Sequence, residues 1–149
     1  MPEMKGFDEI SAEDKERLTL TGINTENMEG RSGSFLLVND HVYHAGSAAE
    51  GIETLMIEQA LEKYEWLKDY FWNIVPADKD EYTKYVAERP QRGYVIIAHK
   101  GAKATFPLQS CMFLQGDTIQ AVHNIVIAEE GSEIHLIAGC ASSMDTKVG

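Results

Sequence analysis

The sequence predicts an α+β protein with a mainly β core, in which a helical region is followed by stacked strands. Residues 48–72 place apolar side chains at three- and four-residue steps, which is the period of an α-helix. After Pro90 the pattern changes to short apolar runs separated by glycine turns, and one strand–turn–strand arrangement occurs twice. We therefore predict a mainly helical region with a short β hairpin over residues 1–91, and a strand-rich region over residues 92–149.

Shorter elements complete the first region. Ser11 followed by Asp14 resembles a capping box and predicts a short helix over about residues 11–18. The apolar run 35–38 predicts a strand, and Asn39-Asp40 predicts a hairpin turn into the next strand.

A further helix is expected over residues 78–88. Asp78 and Glu81 can cap its start, and Pro90 stops it.

The repeat in the second region is found by superposing Gly101 on Gly131. Each copy is two strands joined by a tight turn, in which glycine can take positive φ. Such a unit cannot bury its apolar face alone, so it must stack on neighbours. An open end of the stack would expose strand edges, and we therefore expect self-association. The matched apolar pairs are Ile97 with Ile127, Ala98 with Ala128, Ala104 with Ile134, and Phe106 with Leu136.

Composition excludes several classes of function. Asp and Glu number 24 against 13 Lys and Arg, giving a formal net charge of −11. That balance argues against binding to nucleic acid or to an anionic membrane surface, because both depend on basic side chains. Two cysteines without a CxxC pair form no disulfide framework, and a reducing cytoplasm is the expected compartment.

Cys140 is the candidate for chemistry, because Gly139 before it could bend the chain and present the thiol at a corner of the stack. A buried, structural role for this cysteine is the alternative. His123 and His135 are weak candidates for a metal site, as in a cupin-like metal-binding enzyme, but no HxH or HExxH motif supports them. The sequence contains neither a phosphate-binding glycine loop nor a GxSxG motif, and we expect the chain not to be an enzyme.

Three short motifs follow one another in the strand-rich region: Phe106-Pro107-Leu108-Gln109, then residues 122–133 (VHNIVIAEEGSE), then Gly139-Cys140. In this order they resemble the SufB/SufD family of iron–sulfur cluster assembly proteins. The similarity covers about residues 50–145, with the aromatic-rich helical pattern of residues 57–71 ahead of the motifs.

This resemblance implies the first coils of a right-handed parallel β-helix behind a mainly helical region. It also implies a scaffold role in the SUF system, beside a SufC-like ATPase and a SufB/SufD-like subunit. In the SufB branch the cysteine of the Gly-Cys motif accepts persulfide sulfur, and Cys140 matches it. Family members continue with more coils and with the proposed cluster ligands, so the resemblance implies an N-terminal part or a divergent, truncated member. No cofactor is expected in this chain, and a transient iron–sulfur cluster is expected only in the full-length assembly.

A stand-alone β-helical interaction module without sulfur chemistry is the alternative function. Under either function, Gly101, Gly131 and Gly139 are expected to be structural residues.

Overall fold

The structure is a computed structural model that describes residues 9–26 and 29–146. Within these residues the helices are α1 (Ala12–Leu20), α2 (Ile57–Lys63) and α3 (Glu81–Ala87), with a 3₁₀ helix at Glu65–Asp69. The strands are β1 (Gly33–Val38), β2 (His41–Ser47), β3 (Ile52–Met56), β4 (Tyr94–Ala98), β5 (Leu108–Leu114), β6 (Ile125–Ala128) and β7 (Leu136–Ser142). No helix in the described residues has the length and apolar content needed to span a membrane.

The strands form two sheets. Sheet A has the order β2-β1-β5-β7, and sheet B has the order β3-β4-β6. From β4 onward the chain alternates between them, so that β4 and β6 pair in parallel in sheet B while β5 and β7 pair in parallel in sheet A. Each passage through both sheets is called a coil below: coil 1 contains β4 and β5, and coil 2 contains β6 and β7.

The predicted repeat is confirmed in sheet B. Ile97 lies opposite Ile127, and Ala98 lies opposite Ala128. Gly101 and Gly131 follow these strands with φ of 74° and 73°, the left-handed conformation that the turns require.

The pairing of Phe106 with Leu136 is wrong, because Leu108 lies opposite Leu136. Between the turn at Gly101 and β5 the coils are joined by a single bridge, from Lys103 to Glu133, so the second strand of the repeat begins later than the superposition predicts. Pro107 has no N–H to donate, and the ladder resumes at the next residue, where Leu108 N donates to His135 O at 2.7 Å. The sequence offset between the two coils is thus shorter in sheet A than in sheet B.

The long helix predicted over residues 48–72 is wrong for its first part. Residues 52–56 form β3, which pairs antiparallel with β4 and buries alternate side chains, including Ile52 and Thr54. Pairing with a buried neighbouring strand overrides the helical spacing here. The remainder is α2 followed by the 3₁₀ helix, and Ile57, Ala60 and Leu67 from this segment do form a buried face.

Both ends of the first region follow local capping chemistry. Helix α1 is confirmed, and Asp14 N donates to Ser11 Oγ at 3.1 Å. For α3 the predicted caps are wrong: Asp80 is the N-cap residue, and it exchanges hydrogen bonds with Thr83 in a reciprocal capping box. The hairpin at Asn39 is confirmed as the β1–β2 connection.

The layers run in the order α1, sheet A, sheet B, α2. Leu18 of α1 packs with Leu36 and Cys111 on the outer face of sheet A. Phe35 and Ile96 belong to the core between the sheets.

Since β1 pairs with β5 and β3 pairs with β4, both sheets contain strands from each side of residue 92. The division of the chain into domains at that residue stays a prediction.

Coil 2 leaves both sheets open at the same end. Strand β6 is the last strand of sheet B and β7 the last strand of sheet A within the described residues. Val126, Leu136 and Ile137 are 45%, 37% and 43% exposed at this end. We call it the open end.

Gly93, directly before β4, crosses close to the chain segment ahead of β6 and has a φ of 122°. A Cβ atom there would lie 2.2 Å from His123 O and 2.6 Å from Asn124 Oδ1. We predict that Gly93→Ala lowers the free energy of unfolding by ~3 kcal/mol or more, since backbone strain and overlap add. Urea denaturation followed by circular dichroism measures the change.

Gly116→Ala is the matched control, because Gly116 also has positive φ but no heavy atom stands within 4 Å of its added Cβ. Its expected cost is only the left-handed conformation, about 1–2 kcal/mol. Equal losses in the two variants would contradict the close crossing at Gly93.

Candidate functional site around Cys140

Cys140 lies inside β7 and is exposed. The sequence-based expectation of a corner is wrong, because Gly139 continues the strand without a positive φ. An added Cβ on Gly139 would make only ordinary contacts, the nearest at 3.8 Å from Thr21 O. Among the residues that the structure describes, β7 is a sheet edge, and the thiol is reachable for that reason and not because the backbone bends.

The register of the strands fixes which way the thiol points. Cys140 lies opposite Met112 of β5, and residues opposite each other on paired strands project from the same face. Met112 packs against the core between the two sheets. Cys140 therefore faces the space between the sheets, at the open end.

Cys111 occupies the opposite face of sheet A. It lies opposite Gly139, and its side chain is buried in the α1 core at 1% exposure. Burial, with a smaller contribution from nearby Cys140, raises the pKa of the Cys111 thiol to about 12. A thiol held protonated in this way is a poor nucleophile.

Arg17 is the cation that the tertiary structure brings to the end of β7. Its Nη1 atom donates to Ser142 O at 3.2 Å, just beyond Cys140 in the strand. Arg17 and Ser142 are separated by 125 positions in the chain, so sequence proximity could not reveal the contact.

His123 is enclosed by aromatic rings. Its ring centroid lies 4.8 Å from that of Phe71 and 4.1 Å from that of Trp72, which itself has an unusual positive φ of 56°. Burial lowers the pKa of His123, and its Nδ1 atom is buried without a hydrogen-bond partner. The ring borders an apolar cavity of about 380 Å³ between α3, the segment 70–75 and β6.

His135 is exposed just before β7 and does not join His123. No group of three or more His, Cys, Asp or Glu side chains in residues 9–26 and 29–146 is arranged to hold a metal ion. The cupin-like interpretation therefore gains no support from the side-chain geometry.

Sequence reasoning missed a polar network centred on Glu53 of β3. Its carboxylate accepts hydrogen bonds from Lys63 Nζ and Tyr64 OH of the α2 segment, and it lies 2.8 Å from His99 Nε2. On its other side His99 Nδ1 lies 3.6 Å from Glu129 Oε1 of coil 2. Burial acts to raise the pKa of Glu53, but the three hydrogen bonds outweigh it and hold that pKa at about 2.

Comparison with curated proteins identifies several relatives of this chain. A relative from Archaeoglobus fulgidus is 44% identical over 142 residues, which cover 91% of this chain and 38% of the relative. One from Methanothermobacter thermautotrophicus is 43% identical over 142 residues, covering 92% and 34%. One from Pyrococcus horikoshii is 28% identical over 145 residues, covering 93% and 32%. All three are named iron–sulfur cluster assembly SufBD family proteins.

This chain belongs to the SufBD family. No model in a scan of protein families matches the sequence. The chain spans 38% or less of the length of these SufBD relatives, so it corresponds to about a third of each. The family resemblance noted from the motifs is confirmed.

The two cysteines should differ sharply in reactivity towards a thiol reagent. In the native chain we predict rapid labelling of Cys140, which is exposed, and protection of Cys111, which is buried with a raised pKa. Intact-mass analysis after brief treatment with iodoacetamide should show one adduct on the native chain and two on the unfolded chain. Two adducts on the native chain at equal rates would contradict the burial of Cys111.

The Glu53 network predicts a specific response to acid. The low pKa of Glu53 in the folded state means that its stabilising effect is complete above about pH 4.5 and is lost as pH falls towards 2. Glu53→Gln should therefore reduce stability at pH 7 by about 1 kcal/mol after allowance for solvent screening, and by less at pH 3. Denaturation midpoints measured at both pH values test this.

Glu62→Gln, at an exposed position of α2, controls for the loss of one negative charge. If the destabilisation by Glu53→Gln did not change with pH, the network would not depend on the carboxylate charge.

Proposed function

We propose that this chain supplies part of a scaffold for iron–sulfur cluster assembly, acting without catalysis of its own. The observation that carries the proposal is 44% identity, over 91% of the chain, to a relative named for that process. In this role it works in the SUF system with a SufC-like ATPase and a SufB/SufD-like subunit. The transient cluster is cargo of the complete assembly.

The architecture proposed for this scaffold is a right-handed parallel β-helix. Coils 1 and 2 stack with parallel pairing in both sheets. Crossovers between parallel strands of one sheet are almost always right-handed. Repetition of this unit would extend both sheets without a change of geometry.

Cys140 is the proposed sulfur-transfer residue. Its thiolate would attack the terminal sulfur of a donor persulfide, forming a persulfide on Cys140 and releasing the donor as a thiolate, with no net oxidation. Exposure of Cys140 on an edge strand supports this role. By contrast, the burial and raised pKa of Cys111 oppose such a role for the second cysteine.

A stand-alone interaction module without sulfur chemistry is the second candidate. It is favoured by the direction of the Cys140 side chain, which shares a face with Met112 and would pack as an apolar residue if another strand covered β7. In that case the exposed sheet edges, and not the thiol, would be the functional feature.

Persulfide transfer and co-purification together test the proposed function. We expect the chain to co-purify with a SufC-like ATPase, and to gain the mass of one sulfur atom when it is mixed with a persulfide donor. Intact-mass analysis detects the added sulfur. Cys140→Ala should abolish the added mass, and the Cys140→Ala chain should still co-purify.

Cys111→Ala is the matched control, and it should leave the persulfide yield unchanged. Persulfide on the Cys140→Ala variant, or none on the wild-type chain, would remove the sulfur-transfer role. Co-purification without any persulfide would favour the interaction module, and absence of both would oppose the assembly role.

A further inference from the structure

His123 is held by two aromatic side chains that follow one another in the chain. Its ring stacks on Phe71 at an interplanar angle of 21°, and the ring of Trp72 approaches it at 41°. Trp72 adopts the left-handed conformation, with φ of 56°. A bulky residue rarely takes this conformation, and it persists there only when the surrounding contacts hold it. We call these three residues the clamp.

The clamp joins parts of the chain that are distant in sequence. On one side, His123 N donates to Arg92 O at 2.8 Å, which fixes His123 beside the start of β4. On the other side, Phe71 packs against the core beneath α2. Trp72 is therefore the first residue of this segment whose main attachment is the clamp itself, and it is placed to act as a hinge.

The segment that follows the clamp, residues 73–91 with α3, is called the flap. Each hydrogen bond that these residues form within the described part of the chain joins positions at most five apart, as Gln91 Nε2 to Val86 O does. No residue of α3 is buried. Hydrogen bonds therefore shape the flap internally but do not attach it to the sheets.

The flap also lacks close packing beneath it. The apolar cavity of about 380 Å³ lies between the flap and β6, with Ile74, Tyr82 and Val86 on one side and Ile125 on the other. Dispersion contacts that usually hold a helix on a sheet are lost where such a space intervenes. The aromatic contacts of the clamp thus carry much of the attachment of the flap.

The surroundings of His123 do not compensate a positive charge. Tyr70 and Tyr82 are the other titratable side chains among the described residues that line the cavity, and no carboxylate lines it. The guanidinium of Arg92 pairs with Glu58 at 2.6 Å. Because His123 Nδ1 is buried without a partner, a proton there would be a charged N–H with no acceptor. The stacked ring faces attract an imidazolium, and this attraction opposes the loss of solvation.

The direction of the pH dependence follows from the pKa of His123, which burial lowers. A histidine with a lowered pKa binds fewer protons in the closed state than when it is released into water, so acid favours release. The stabilisation by the clamp is therefore complete above the ordinary histidine pKa of 6.5 and declines as the pH falls below it.

We propose that the clamp is an acid-sensitive latch: protonation of His123 releases Trp72, and the flap then moves away from β6 and uncovers the apolar cavity. Release also allows Trp72 to leave the left-handed conformation, so relief of backbone strain favours opening. The latch depends on contacts made before β6 begins and makes no use of the edges of β6 and β7. It is also independent of the iron–sulfur role.

Fluorescence of Trp72 measures its release directly. Trp66 is the other tryptophan, so the chain with Trp66→Phe contains Trp72 alone. In that chain we expect acrylamide to quench Trp72 with a rate constant ~3-fold higher at about pH 5 than at about pH 7.5, because local opening admits the quencher. The rate constant is the Stern–Volmer constant divided by the fluorescence lifetime, so quenching by the imidazolium itself does not enter.

Three variants in the same background assign the response to His123. His123→Phe keeps a ring in the clamp but cannot be protonated, so the low rate constant should be found at both pH values. His123→Ala removes the ring and should give the high rate constant at both. His135→Gln is the matched control, since it removes an exposed histidine outside the clamp, and it should keep the full response.

Two results of these measurements would overturn the latch. One is an acid response that persists in His123→Phe or is lost in His135→Gln. The other is a rate constant for Trp72 that stays the same or falls in acid, because it would mean that the imidazolium stacks on the rings at least as well as the neutral imidazole does.

Hydrogen exchange locates the motion in the chain without any substitution. After correction for the intrinsic rates, amides of α3 should exchange ~5-fold or more faster at about pH 5 than at about pH 7.5, while those of β1 and β5 keep their protection. Equal protection of α3 at both pH values would contradict the latch. Faster exchange in β1 and β5 as well would show global unfolding in place of local release, and would overturn the proposal too.

Discussion

Parallel pairing between successive coils is the constraint on which the rest of the structure depends. Because β4 pairs with β6 and β5 pairs with β7, the connection between β4 and β5 is placed against the connection between β6 and β7. The pairing of Lys100 with Glu130 and the direction of the Cys140 side chain both follow from that register. A shift of one residue in β7 would turn Cys140 to the α1 face and move its neighbour into the space between the sheets.

Before the coils begin, the chain closes the other end of the stack with antiparallel partners. Strand β2 pairs with β1, and β3 pairs with β4, each in antiparallel orientation. The helices then cover the outer faces, α1 over sheet A and α2 over sheet B. Within the described residues, this arrangement leaves the exposed strand edges and the reachable thiol in coil 2. The apolar cavity beside His123 lies between β6 and the segments 70–75 and α3, which precede the coils.

Local sequence signals predicted the elements whose stability is local. The cap of α1 at Ser11, the hairpin turn at Asn39 and the glycine turns of the coils all depend on residues close to one another in the chain.

The sequence could not predict that residues 52–56 would pair with β4, because an apolar residue at every second or third position fits a strand and a helix alike. The sequence also did not reveal that the offset between the two coils becomes shorter beyond Pro107, because this offset depends on the residue at which strand pairing resumes. Of the site, sequence indicated Cys140 but not Arg17, which a contact across the fold brings to the end of β7. The separate Glu53 network was missed for the same reason, because Glu53 and His99 meet only in the folded chain.

The opposite directions of the two cysteines limit what oxidation can do to this protein. Cys111 and Cys140 belong to adjacent strands, but sheet A separates their side chains. A bond between them would require the strand to turn over, because disulfide geometry needs Cβ atoms about 4 Å apart that point towards each other. Mild oxidation should thus leave the chain without an internal cross-link, and the exposed sulfur would instead join a thiol on another molecule. Strand β7 therefore presents a thiol that can form a mixed disulfide with a thiol-bearing molecule.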